Sequence, residues 1–192
     1  MQLRVAQTVA DTEAEGPGRR FALWVQGCTL ACPGCCNPEM FAARGGELLE
    51  TALLAERILG TPGIEGLSVL GGEPFQQAGA VAELCAAVRA AGLSVMVYSG
   101  YTLAELRALP GPGPAALLAE TDLLVDGRYR RELPEPRRRW LGSSNQRLHF
   151  LTSRYGPDDP RFSQPNTVEL RLVGGQLTVN GWPAGADALR RR

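Results

Sequence analysis

The run Leu67-Ser68-Val69-Leu70-Gly71-Gly72-Glu73-Pro74, followed through Ala78 to Ala91 and on to Leu93-Ser94-Val95-Met96-Val97-Tyr98, decides the fold class. Leu67 to Leu70 is a short apolar run and reads as a strand. The next segment carries Val81, Leu84, Cys85 and Val88 at the i, i+3, i+4, i+7 positions, so it reads as a helix, stopped by Gly92. Leu93 to Tyr98 is again a strand. A strand, a helix and a strand in one short span form a parallel unit, because parallel strands need a crossover between them.

Outward from this unit the alternation continues. Thr102-Leu103-Ala104-Glu105 is a capping box that opens another helix. Pro110 to Pro114 reads as a tight Pro/Gly loop, and Leu123 to Val125 as a further strand. Leu148 to Leu151 is the last strand of the core. On the N-terminal side, Leu3 to Val9 is a strand, Glu15-Gly16-Pro17-Gly18 a turn-rich loop, and Phe21 to Val25 a strand ending at Gly27. Thr51 is placed as the N-cap of a helix running to about Leu59, with Gly60 as its stop. The expected fold is α/β, a parallel sheet in a layer or a partial, open (β/α) barrel.

After Arg147 the character changes. Val168 to Val173, Gly174-Gly175 and Leu177 to Val179 read as a β-hairpin on a two-residue glycine turn. No convincing linker separates it from the rest. Residues 1–151 are therefore expected to form the core, and 152–192 a C-terminal extension of the same domain. Arg190-Arg191-Arg192 reads as a frayed tail.

Composition narrows the function classes. The chain has 192 residues, with 20 Lys+Arg against 20 Asp+Glu, so no bulk charge attracts phosphate and a nucleic-acid partner is not expected. No apolar run approaches the about 18 residues of a membrane span, and no signal peptide is evident, so the expectation is a cytoplasmic protein without a membrane partner. Every basic residue except the single His149 is arginine. Lysine Schiff-base chemistry and a Walker lysine are thereby excluded, and one histidine leaves no His-pair metal motif.

The cysteines carry the chemistry. Cys28, Cys32, Cys35 and Cys36 crowd one loop, whereas Cys85 lies on the apolar face of a helix and reads as a buried small hydrophobe. Cys28-x3-Cys32-x2-Cys35 offers soft thiolates suited to iron–sulfur clusters or zinc. Three cysteines on one short loop can hold three irons of a cubane and leave the fourth open to substrate. Three further polar segments follow strands as the cysteine loop does: Gly71-Gly72-Glu73, Ser99-Gly100 and Asp126-Gly127. In parallel α/β sheets the loops beyond the C-terminal strand ends build the active site, so all four segments are expected on one rim.

These residues carry a resemblance. Cys28-x3-Cys32-x2-Cys35 with Gly71-Gly72-Glu73-Pro74 resembles the radical S-adenosylmethionine (SAM) superfamily. More narrowly, the chain is similar to the glycyl-radical-enzyme activating enzymes, above all those of anaerobic ribonucleotide reductase. The likeness covers about residues 3–151. It includes Glu15 to Gly18, Trp24 to Cys28, Asn37-Pro38-Glu39, Gly71 to Phe75, Tyr98 to Thr102, Leu124 to Arg128 and Gly142 to Arg147.

The resemblance implies a partial barrel of the radical SAM type, with Cys28, Cys32 and Cys35 binding a [4Fe-4S] cluster whose free iron takes SAM. It implies reductive cleavage to a 5′-deoxyadenosyl radical that removes hydrogen from a glycine of a partner protein. A reduced flavodoxin or ferredoxin-type donor would supply the electron. Gly72 and Glu73, with Gly71, would hold the methionyl ammonium, and backbone around Gly34, Cys35 and Cys36 would touch the adenosyl part. Ser99 and Asp126 would complete the cofactor site, and no catalytic residue beyond these cofactor ligands is expected.

Two features depart from the pattern. Cys36 stands where an aromatic is usual, and it is expected to line the nucleoside side as a small apolar stand-in. Residues from about 152 onward have no counterpart. Alternatives at this stage are a structural zinc site using all four clustered cysteines, a 4Fe-4S electron carrier or sensor, and radical SAM modification of another peptide or protein.

Overall fold

The computed structural model describes residues 1–190, with Val173, Gln176 and residues 187–190 described by backbone alone. The tail expected at the C-terminus therefore falls outside the described side chains. Seven strands form one sheet: β1 (Gln2–Thr12), β2 (Arg20–Val25), β3 (Glu47–Glu50), β4 (Gly66–Gly71), β5 (Ser94–Tyr98), β6 (Leu123–Asp126) and β7 (Arg147–Phe150). Their order is β3-β1-β2-β4-β5-β6-β7. The centre, β2-β4-β5-β6, is parallel. Its crossovers carry α1 (Thr51–Leu59), α2 (Ala78–Ala90), α3 (Leu103–Ala108) and α4 (Pro112–Ala119).

The sheet is mixed rather than wholly parallel. β1 runs antiparallel to β2 and β3, and β7 antiparallel to β6. The chain between β1 and β2 contains no helix, and without a crossover element two neighbouring strands pair antiparallel. The architecture is an open α/β sheet; no closed barrel forms among the described residues.

Side chains alternate across the central strands although both faces are covered. Phe21, Leu23, Val25, Leu67, Val69, Val95, Val97 and Leu124 point into the main core against the helices, where Val81, Leu84, Cys85 and Val88 meet them as expected. The intervening residues point the other way. Ala22, Trp24 and Leu70 pack with Met40, and Met96, Leu123 and Val125 pack with Trp140, Leu141 and Tyr155. Irregular chain covers that second face, and there the sheet leaves room for a site.

Several local expectations need correction. Thr51 is not the N-cap: Glu50 is, and the Thr51 hydroxyl donates to the Met1 carbonyl while accepting from the Met1 ammonium, both at 2.9 Å. The Pro/Gly loop after Pro110 is short, because Pro112 and Pro114 sit in the first turn of α4, where a missing N–H costs nothing. β3 was unforeseen, and so was a C-terminal helix, α5 (Pro183–Arg190). The capping box at Thr102 and Glu105 is present in full. The hairpin of β8 (Val168–Val173) and β9 (Gln176–Gly181) turns at Gly174 and Gly175, with φ of 57° and 80°. Two successive positive φ values fit a type I′ turn, which only residues such as glycine adopt cheaply. Among the described residues, no helix is long and apolar enough to cross a membrane.

Candidate active site

At the C-terminal ends of β2, β4 and β5 lies a cavity of about 200 Å³. Cys28, Cys32, Cys35 and Cys36 line it, together with Gly71, Gly72 and Glu73 after β4 and with Ser99 and Gly100 after β5. The parallel register brings these segments together: Val25 pairs with Gly71, and the Gly72 N–H donates back to the Val25 carbonyl at 2.7 Å. Glu73 N–H then donates to Gly27 at 2.9 Å. A Cβ on Gly72 would lie 2.3 Å from the Gly27 carbonyl oxygen, so glycine alone lets the two loops approach this closely.

The cysteine loop is held from outside. Cys28 N–H donates to Phe41 at 3.0 Å, and Gln26 Nε2 donates to the carbonyls of Glu39 and Ala42 at 3.2 and 2.7 Å. Thr29 and Gln76 exchange two hydrogen bonds, tying the loop to the turn after Glu73. Ala31 sits at a φ of 43°, a left-handed conformation that an alanine adopts only under constraint. Cys35 N–H closes a turn onto the Cys32 carbonyl at 3.1 Å. Gly34, at a φ of 72°, lies within that turn and not on the cavity wall, its backbone close against Arg131.

The thiols differ in environment. Burial pushes the Cys28 and Cys32 thiols up, while a hydrogen bond from Cys36 lowers Cys35 to about 7. Cys36 is pushed the opposite way by that bond and by its own burial. Among the described residues, no three His, Cys, Asp or Glu side chains converge on one point as a single metal ion requires. The donors that share the cavity are soft sulfurs, the ligand class of an iron–sulfur cluster.

Glu73 is 1% exposed. Its Oε1 accepts from Phe75 N–H at 3.0 Å and from the Ser99 hydroxyl at 2.9 Å, and its Oε2 accepts from Gly100 N–H at 2.8 Å. Burial raises its carboxyl from 4.5 to about 7, against those hydrogen bonds. Each oxygen keeps acceptor capacity toward the cavity. Asp126 stands apart from the cavity wall. Its Oδ2 accepts from Leu103 N–H at the start of α3 at 2.6 Å and lies 2.9 Å from His149 Nε2, while the neighbouring Gly127 reaches the cavity.

Trp24, Tyr98 and Glu15, which the sequence placed within the likeness but gave no role in the site, also line the cavity. The Glu15 carboxylate is buried, raised from 4.5 to about 7 by that burial, and accepts from Gly181 N–H at 2.7 Å. The arginines after Gly127 do not share one environment: Arg139 is buried over the Trp140 ring, and Arg128 pairs with Glu105.

The 4Fe-4S single cluster domain family matches residues 14–149, which hold every site residue named so far except Gly181. An anaerobic ribonucleoside-triphosphate reductase-activating protein of Vibrio cholerae is 34% identical over 145 residues, covering 71% of this chain and 91% of that one. The protein of the same name from Escherichia coli K12 is 35% identical over 147 residues, with the same coverage.

This chain belongs to the anaerobic ribonucleoside-triphosphate reductase-activating proteins.

It is thus an enzyme with a 4Fe-4S single cluster domain. The activating protein of phage T4 matches at 32% identity over 139 residues, 69% of this chain and 85% of that one. Among solved structures, QueE from Escherichia coli covers 53% of this chain at 18% identity with a TM-score of 0.46, a likeness too partial to bear on function. In this activating protein the family match ends at residue 149, yet Val179 to Pro183 and Ala186 also line the cavity.

Proposed function

We propose that this protein cleaves SAM reductively and uses the product to activate a glycyl-radical enzyme, an anaerobic ribonucleotide reductase. The supporting observation is that the cysteine loop, the Gly71-Gly72-Glu73 turn and Ser99-Gly100 share one cavity in a chain of the activating-protein family. Cys28, Cys32 and Cys35 would hold a [4Fe-4S] cluster. With SAM bound, a reduced cluster there would supply the electron for cleavage of the sulfonium to methionine and a 5′-deoxyadenosyl radical, which would take a hydrogen atom from a glycine Cα and end as 5′-deoxyadenosine.

The chain's own residues position and exclude water. Glu73 accepts the methionyl ammonium, its carboxylate pre-aimed by Ser99 and Gly100, and Gly71 and Gly72 let backbone approach the methionine. Cys36 lines the nucleoside side, beside the backbone of Cys35, while Gly34 shapes the turn behind them. Asp126 acts from behind, fixing α3 and the strand end at Gly127. The open sheet serves as the partial (β/α) barrel, residues 1–151 as its core and 152–192 as an extension of the same domain. A reduced flavodoxin or ferredoxin supplies the electron, in the cytoplasm.

Anaerobic reconstitution followed by reduction with SAM tests this. The expected results are about four irons per chain and 5′-deoxyadenosine, then a glycyl radical in the reductase of the same organism. Stoichiometric zinc without SAM cleavage overturns it. Iron without cleavage makes the protein an electron carrier, and cleavage without a glycyl radical points to another peptide substrate.

A further inference from the structure

One wall of the cavity comes from outside the matched family region. Val179, Asn180, Gly181, Trp182, Pro183 and Ala186 line it, all beyond residue 149. This C-terminal segment is fastened to the loop that carries Glu15. Gly181 N–H donates to Glu15 Oε1 at 2.7 Å and Asn180 Nδ2 to Thr12 Oγ1 at 3.0 Å. Glu13 N–H donates to Glu169 at 2.8 Å, Arg171 donates to the Asp11 carbonyl, and Trp182 Nε1 donates to the Glu135 carbonyl at 3.0 Å.

These fastenings are polar, and three leucines on the hairpin's apolar side are left largely exposed. Leu170 pairs with Val179 and Leu172 with Leu177, so these four residues share one face. Leu170, Leu172 and Leu177 are 55%, 72% and 63% exposed. A two-stranded hairpin alone is marginal in water, and a segment with few buried apolar contacts opens at the low end of the local stability range. The fastening is also local in a second sense. A Cβ on Gly181 would lie 2.4 Å from the Thr167 carbonyl oxygen and 2.9 Å from Ala14 Cβ, so a glycine is required where the strap meets the Glu15 loop.

The buried Glu15 carboxylate thus receives a glycine backbone N–H, a group that any extended polypeptide offers. If the enzyme acts on a glycine within a protein, the substrate main chain has to enter this cavity, part of whose wall is Trp182 and Pro183. We propose that Val179 to Ala186 form a cis-acting strap over part of the cavity that the polypeptide substrate enters, and that docking of the substrate protein displaces it. The inference rests on the proposed function. Opening exchanges the strap's hydrogen bonds for equivalent ones from the incoming chain, so displacement is cheap.

Hydrogen exchange on the full-length holoenzyme, with and without the anaerobic reductase of the same organism, tests the strap. Amides of residues 176–186 are expected to lose protection when the reductase saturates the enzyme. A complex in which they stay protected, or gain protection, overturns the strap and leaves the proposed function standing. No complex on gel filtration overturns the functional reading itself. A second arm uses Thr12→Val with Arg171→Ala, which loosens two fastenings outside the cavity. The doubly substituted enzyme is expected to bind reductase about threefold more tightly or better, because less of it sits in the closed form. Unchanged or weaker binding, with strap exchange raised, overturns the proposal.

Discussion

The Ser99 hydroxyl donates to Glu73 Oε1 at 2.9 Å, linking the ends of two parallel strands through one buried carboxylate. Gly100 N–H holds the other oxygen at 2.8 Å. The carboxylate is therefore fixed in direction before any ligand arrives. Such fixing matters because a flexible carboxylate would lose rotamer entropy on binding an ammonium.

Glu73→Ala is accordingly expected to keep iron and to weaken SAM binding about tenfold or more, since a charge-assisted contact is lost. Ser99→Ala should have the same sign and a smaller size, because the Gly100 and Phe75 N–H groups remain. Equilibrium SAM binding beside iron content measures both. Cluster loss in Glu73→Ala would place this segment in the cluster's support instead.

Cys28→Ala, Cys32→Ala and Cys35→Ala should each abolish a stable cubane, whereas Cys36→Ala should keep iron and most SAM cleavage. Cys36 follows Cys35 directly and its thiol is turned to hydrogen-bond its neighbour. Iron analysis and 5′-deoxyadenosine yield, read side by side in Cys35→Ala and Cys36→Ala, decide it. Cluster loss in the second with retention in the first makes Cys36 the third ligand.

How much of this was legible in the sequence depends on range. The strands from Phe21 to Val125 were readable because each buries both faces and reads as a short apolar run between turn residues. The rim was readable for the same reason: loops after parallel strands share an edge. Glu47–Glu50 was not, because its two leucines lie between glutamates on an exposed edge and its strand character comes from pairing with β1. Nor was Glu15. Its place in the site depends on Gly181, 166 residues away, and no local pattern carries that contact. Pro183 at the start of α5 was the one unread signal in the extension, a proline at a helix start after a hairpin.

Stability should depend on pH through two buried carboxyls. Glu15 and Glu73 are each raised from 4.5 to about 7 by burial. Between those values the folded chain keeps protons that the unfolded chain has released, so their stabilising contribution is full below the lower value and is lost as pH rises through the upper one. Glu15→Gln and Glu73→Gln are therefore expected to gain on the wild-type apoprotein between pH 5 and pH 8, by up to about 3 kcal/mol each. Urea unfolding at the two pH values measures this. A gap that stays constant across the range would mean that neither group titrates there.

Arg20 gives the last expectation. Its guanidinium is fully buried, yet none of its hydrogen-bond partners is a carboxylate. Nε donates to Ser68 Oγ at 2.7 Å, Nη1 to the Pro17 carbonyl at 3.1 Å and Ser94 Oγ at 2.8 Å, and Nη2 to the Leu67 carbonyl at 2.6 Å. Ser68 Oγ passes the connection on, donating to the Glu15 carbonyl at 2.6 Å. The fork thus ties β4, β5 and the loop of Glu15 into one unit. An ammonium cannot reproduce it: lysine offers three donors from one point, and its charge still has to be desolvated. Arg20→Lys is expected to cost about 3 kcal/mol or more, through orphaned buried acceptors. It should also speed hydrogen exchange at Gly16 and Gly18, which flank the Pro17 carbonyl. Thermal and urea unfolding give the first quantity and exchange gives the second. A loss under about 1 kcal/mol with exchange unchanged would show that the loop is held by its strands alone.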